Sequence, residues 1–124
     1  MSKRFQDLIV YKKGFDLAMN IFEVTKSFPK EETYSLTDQI RRSSRSVCVN
    51  IAEAYRKRNY PKHFFSKLTD AENSETQSWL EFSLACKYIS NDLFENYSKQ
   101  TEEIGKLIRI YVVSHRKIWR SAKN

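Results

Sequence analysis

Apolar residues recur at spacings of three and four along most of this chain, and the pattern breaks in only a few places. Leu8, Tyr11, Phe15, Ala18, Phe22 and Thr25 form one such stripe and predict a first helix over residues 7–26. Ser27-Phe28-Pro29 interrupts it, because the residue before a proline avoids the helical region while proline itself suits a first helical turn. A second helix then starts between 29 and 35 and runs to about 58, with Leu36, Ile40, Ser44, Val47, Ile51 and Tyr55 along one face, until Tyr60-Pro61 forces the next break. Helix three is expected over 62–89 on the stripe Phe65, Leu68, Ala71, Glu75, Trp79, Phe82, Ala85 and Ile89, which implies partial burial of Glu75. Ser90, Asn91 and Asp92 offer N-caps for a fourth helix carrying Phe94, Tyr97, Thr101, Ile104, Ile108, Tyr111 and Ile118. Short connections make consecutive helices antiparallel neighbours. The predicted fold is therefore all-α, an antiparallel up-down-up-down four-helix bundle forming one domain over residues 1–124.

Composition narrows this further. Two glycines and two prolines are too little turn chemistry for a sandwich or barrel, and 40% hydrophobic residues with 14% aromatics rule against a disordered chain despite 30% charge. No segment approaches the roughly 20 apolar residues of a membrane span, and the first residues contain no apolar run of signal-peptide length, so a cytoplasmic protein with no membrane partner is expected. Cys48 and Cys86 form no CxxC pair and are expected as small, reduced side chains rather than a disulfide.

Residues 39–54, QIRRSSRSVCVNIAEA, place three arginines among three serines with nothing to stop a helix. At about 100° per residue they divide into three faces. Leu36, Ile40, Ser44, Val47, Ile51 and Ala54 point to the core; Arg41, Arg45, Ala52 and Arg56, with Arg42 and Val49 beside them, lie opposite; Gln39, Ser43, Ser46 and Asn50 form a polar ladder along one flank. The ladder is either a solvated flank or a subunit or ligand interface. An apolar Val49 among arginines favours contact, which makes Gln39, Arg41, Arg42, Arg45, Ser46, Val49 and Asn50 the candidate oligomer interface.

The string Q39-I40-R41-R42, then Ser46 and N50-I51-A52-E53, preceded by F28-P29 and Leu36, resembles the signature of the bacterial four helix bundle protein family. That family includes proteins encoded in intervening sequences of large-subunit ribosomal RNA genes and is related to the accessory variability protein of diversity-generating retroelements. F5-Q6-D7-L8-I9-V10-Y11 is similar to its usual opening, whereas Ala54 stands where the family generally has glycine and A71-E72-N73-S74-E75 follows its third-helix pattern only loosely. The resemblance implies an antiparallel four-helix bundle that often assembles as a ring-like pentamer, without catalytic activity. For the retroelement relatives it implies nucleic-acid binding through a basic surface.

Catalytic motifs are missing: there is no GxxxxGK[ST], GxGxxG, HExxH or GxSxG, and two glycines cannot build a phosphate-cradling loop. Topology brings His63 toward His115, so a metal site with Cys48 or Glu53 is conceivable, but the ExxH spacing of helix-lined metal sites is absent. No catalytic residue, metal or cofactor is expected. Charge says more than the net +7. Lys and Arg against Asp and Glu count 6 and 6 over residues 1–40, 8 and 1 over 41–67, 2 and 8 over 68–103, and 6 and 0 over 104–124. An up-down-up-down bundle collects Lys3, Arg4, Lys12, Lys13, Arg56, Lys57, Arg58, Lys62, Lys67, Arg116, Lys117 and Arg120 at one end. Glu31, Glu32, Asp38, Asp92, Glu95, Glu102 and Glu103 are expected at the other. Such a dipolar molecule attracts phosphate polymers, RNA or DNA alike, with Tyr60, His63, Phe64 and Trp119 near enough to stack on bases if exposed. The alternative is a structural scaffold whose polar ladder and basic end meet an acidic protein partner.

Overall fold

The computed structural model describes residues 4–123, and their regular structure is all-α. The helices are α1 (Ile9–Thr25), α2 (Leu36–Arg56), α3 (Pro61–Asp70), α4 (Ser74–Ala85) and α5 (Asn91–Lys123), with 3-10 turns at Phe5–Asp7 and Lys30–Glu32. Helix α1 packs on α2, α2 on both α3 and α4, and α4 on α5, which returns to α1. Ile21, Ile40, Ile51, Phe64, Leu68, Leu80 and Ile104 are almost fully buried in one core. Each such side chain stabilises the fold by roughly 1.5–3 kcal/mol.

Helix α2 buries Leu36, Ile40, Ser44, Val47 and Ile51 as its stripe predicts. In α1 the phase differs: the buried set is Val10, Gly14, Leu17, Ala18, Ile21 and Thr25, while Phe15 is exposed and Phe22 half-buried. Apolar residues surround α1, so its periodicity admits more than one inward face. Gly14 marks the one chosen, because a Cβ there would lie 3.2 Å from the Cys48 Sγ of α2. Burial pushes the Cys48 thiol up to about 11, while Cys86 is exposed, and both are free.

The expected third helix is two helices. The chain leaves helical geometry between α3 and α4, where the Glu72 carboxylate accepts from the Ser74 backbone N–H at 2.7 Å and its hydroxyl at 2.6 Å. Asn73 Nδ2 donates to the Thr101 carbonyl of α5 at 2.7 Å. The interruption advances the phase by one residue, so Thr76, Leu80 and Ser83 are buried in place of Glu75, Trp79 and Phe82. Glu75, expected to be partly buried, is exposed and accepts from Trp79 Nε1 at 3.3 Å. After α4, Lys87 adopts a left-handed φ of 63° and Tyr88 N–H reaches back to the Ser83 carbonyl at 2.9 Å, which satisfies the last carbonyls of the helix.

Ser90 caps α5 by accepting from the Leu93 N–H at 3.1 Å. The stripe Tyr97, Thr101, Ile104 and Ile108 is buried, but Ile118 is 60% exposed: the helix continues past the point where its neighbours cover it. Tyr88 packs on Phe28 and donates to Glu32 Oε2 at 2.9 Å, joining the α4–α5 connection to the α1–α2 connection. The Ser35 and Tyr88 hydroxyls hold the Glu32 carboxyl below its ordinary value, and the same carboxylate pushes the Tyr88 phenol up to about 12. Among the described residues no helix is long and apolar enough to cross a membrane.

Candidate nucleic-acid interface and subunit surface

The cations at the end of α2 rest on aromatic rings. Arg56 lies over Phe5 at 5.6 Å, and Arg58 lies over Tyr55 at 4.2 Å while donating to the Tyr55 carbonyl at 2.9 Å. Across the α2–α3 connection, Lys57 Nζ is 5.7 Å from the Tyr60 ring. His115 stacks on Phe64 at 4.4 Å and Arg116 lies 5.1 Å over Phe65, which joins the late part of α5 to the start of α3. Burial raises the Tyr111 phenol, with Tyr55 adding to the rise and Arg58 opposing it, so the end of α2 faces the same part of α5. Arg56, Lys57, Arg58, Lys62 and Arg116 are therefore gathered, with Lys117 and Arg120 exposed on the following turns of α5 and Lys12 exposed in the first turns of α1. Among the described residues no ion pair engages any of these eight cations. Lys3 and the Trp119 side chain lie outside the described residues.

Two expected members differ. Lys13 pairs with Glu103 at 3.0 Å, although the two were assigned to opposite ends. Helix α5 is 33 residues long, so a residue one third of the way along it lies level with the first turns of α1. Lys67 pairs with Glu53 at 2.9 Å, and that hydrogen bond raises its pKa.

The polar ladder is only partly open. Ser43 is covered by α4 and accepts from the Thr76 hydroxyl at 3.1 Å. Asn50 Nδ2 donates to Ser46 Oγ at 3.0 Å and to the Asp70 carbonyl at 3.2 Å. Gln39, Arg42, Arg45, Ser46, Val49 and Asn50 then line, with Ser43 and Glu75, an open concavity of about 690 Å³. Arg41 does not join them. Its Nε donates to Thr25 Oγ1 at 2.8 Å and its guanidinium lies 4.7 Å over Phe22, so it clamps α2 to α1. Sequence reasoning missed an adjoining concavity of about 440 Å³ that shares Gln39 and is lined by Tyr34, Trp79, Phe82 and Cys86. Trp79 and Phe82 were assigned to the core, and only the break before Ser74 turns them outward.

The conceivable metal site does not form. His63 is exposed, His115 is stacked on Phe64, and Cys48 is buried against Gly14. Among the described residues no group of three His, Cys, Asp or Glu side chains could hold a metal ion.

A family model described as 23S rRNA-intervening sequence protein matches residues 6–109. The chain belongs to the 23S rRNA-intervening sequence protein family. A crystal structure of a protein with unknown function from the S23 ribosomal protein family, from Bacteroides thetaiotaomicron, is similar to this intervening-sequence protein, with a TM-score of 0.76 and 29% identity over 84% of this chain and 95% of that chain. No curated protein matches it. Within this intervening-sequence protein the family match takes in the α2 surface and the cations from Lys12 to Lys62, while Arg116, Lys117 and Arg120 lie past its end.

Proposed function

We propose that this intervening-sequence protein is a non-enzymatic homo-oligomer that acts in the cytoplasm and binds RNA or DNA electrostatically at the end of the molecule where α2 passes into α3. The observation that carries the reading is the gathering of Arg56, Lys57, Arg58, Lys62 and Arg116, free of carboxylate partners among the described residues, while Glu31 and Glu32 lie in the α1–α2 connection and Asp92 and Glu95 in the first turns of α5, at the far end. Exposed cations and rings supply attraction and stacking, but no nucleophile or general base. Their contacts to phosphate release counterions without reading sequence.

The topology belongs to the proposal as an antiparallel up-down-up-down bundle. It is supported by contacts that run in opposite senses along successive helices: Gly14 with Cys48 but Thr25 with Arg41, Asn50 with Asp70 but Ser43 with Thr76, and Asn73 with Thr101 but Gln77 with Ser98. Subunits associate through the α2 concavity, in a ring for which the family resemblance favours a pentamer. Side-by-side packing around a cyclic axis points every bundle the same way, so the basic ends share one face.

Converting Arg56, Lys57 and Arg58 to glutamate weakens binding across sequences and flattens its salt dependence by about 0.9 in logarithmic slope for each lost duplex phosphate contact. Lysine at Glu31, Asp92 and Glu95 leaves binding intact or strengthens it. Titrations of RNA and DNA at several salt concentrations measure both sets. Equal weakening by the two would overturn the localisation.

A second reading, a scaffold for an acidic protein partner, is favoured by Tyr34 at 93% exposure beside half-buried Trp79 and exposed Phe82, contiguous through Gln39 with an arginine-lined surface. Aromatic and arginine side chains are the ones enriched at protein interfaces. Nucleic-acid binding that persists unchanged in the charge-reversed triple variant would leave this as the better account of the basic end.

A further inference from the structure

From the surroundings of Tyr60 we infer that the basic end carries a base-stacking platform, so that single-stranded nucleic acid gains a contact there that a duplex does not. This rests on the electrostatic reading above and adds the class of ligand.

Four aromatic side chains were candidates for stacking, and their fates differ. Phe64 has no exposed surface and is enclosed by Phe65, Tyr111 and His115. The Trp119 side chain lies outside the described residues. Tyr60 is 60% exposed, and His63, also exposed, stands edge-on to it with ring centroids 6.5 Å apart and planes at 80°.

The backbone under Tyr60 is fixed from both sides. Its N–H donates to the Lys57 carbonyl at 2.8 Å, its carbonyl accepts from the Phe64 N–H at 2.9 Å, and Pro61 follows as the first residue of α3. A ring presented from such a position loses little backbone freedom when a ligand meets it. Lys57 Nζ lies over this ring on a flexible arm, and Arg58 and Lys62 flank it in sequence. A base that takes the ammonium's place on the ring leaves Lys57 beside the phosphate that the base brings with it. The combination of a cationic surface with an open aromatic face is the one that holds unpaired nucleotides, since every base has a π-face but a duplex keeps those faces covered.

The test compares one short single-stranded RNA, carrying 2-aminopurine as a stacking reporter, with the duplex formed from the same sequence. The wild type, Tyr60→Ala, Tyr60→Leu, Tyr60→Phe and the triple glutamate variant at Arg56, Lys57 and Arg58 are titrated with both, and circular dichroism checks that each is folded. The expected result is a loss of single-strand affinity of roughly five- to 150-fold in Tyr60→Ala, the equivalent of about 1–3 kcal/mol for one stacked base. Tyr60→Leu behaves like alanine, Tyr60→Phe is near wild type, duplex binding is unchanged, and 2-aminopurine quenching disappears with the ring. If Tyr60→Ala leaves single-strand binding unchanged, or weakens both ligands equally, the platform is overturned. The electrostatic reading then still stands provided the triple variant loses both. If the triple variant binds like the wild type, the basic end itself is the wrong place, whatever Tyr60 does, and if the wild type binds neither ligand at low salt, both proposals fall.

Discussion

At Gly14 a single missing Cβ decides how α1 lies on α2. Alanine is favoured over glycine inside a helix by roughly 1 kcal/mol, but here its methyl group would press on Cys48 Sγ at 3.2 Å with Val47 also in contact at 3.7 Å. The two effects oppose each other and are separable. Gly14→Ala alone is expected to change stability little. In a Cys48→Ala background, where the sulfur is gone, the same substitution stabilises by about 0.5–1 kcal/mol. Urea unfolding of the four proteins in the cycle measures the coupling; an equal effect of Gly14→Ala in both backgrounds would show that the sulfur does not limit the approach. The same glycine explains why the inward face of α1 was misread, since the apolar count around this helix favours its large aromatics and a hydrogen side chain contributes nothing to a hydrophobic stripe.

Between elements, the clearest local tie is the Arg41 clamp on Phe22 and Thr25. Arg41→Ala removes a ring contact and a hydrogen bond and is expected to cost about 1–2 kcal/mol, whereas Arg45→Ala, which gives up only a 5.6 Å ring contact, costs under about 0.5 kcal/mol. Arg41→Lys does not restore the loss, because the planar guanidinium both stacks and donates. Thermal unfolding distinguishes these outcomes, and similar costs at both positions would refute the clamp. Helix α2 was legible because its apolar stripe is narrow and flanked by polar residues. The α3–α4 break was not, because Asn73 holds it through a carbonyl of α5, a partner 28 residues away. Ile118 was misassigned because periodicity carries no information about where neighbouring helices stop. The basic run at Arg56-Lys57-Arg58 could be read from topology alone, but a helical wheel gives the direction of Arg41 without giving its partner, and the level of Glu103 depends on the length of α5.

For the whole molecule, the concavity around Val49 and the basic end are different surfaces, and the proposed ring makes one depend on the other. Val49 is 55% exposed, so Val49→Glu is tolerated by the fold but opposes association. Light scattering is expected to find smaller particles with unchanged helical content. Affinity per subunit for a long phosphate backbone should fall by roughly two to four powers of ten as simultaneous contacts are lost. A folded monomer that binds as tightly as the assembly would remove the ring from the account of binding. The stacked arginines have a further effect, on when disorder is lost. Arg58 on Tyr55 and Arg116 on Phe65 are each set against a ring before any polyanion arrives. Freezing a long side chain at an interface costs roughly 0.5–1.5 kcal/mol, and on this surface part of that entropy is surrendered during folding rather than during capture. A face of free lysines with the same total charge would exert the same long-range pull, yet it would still have its arms to arrest at the moment of contact. In the proposed mode of binding, attraction depends on how many cations there are, and holding depends on how many of them already stand still.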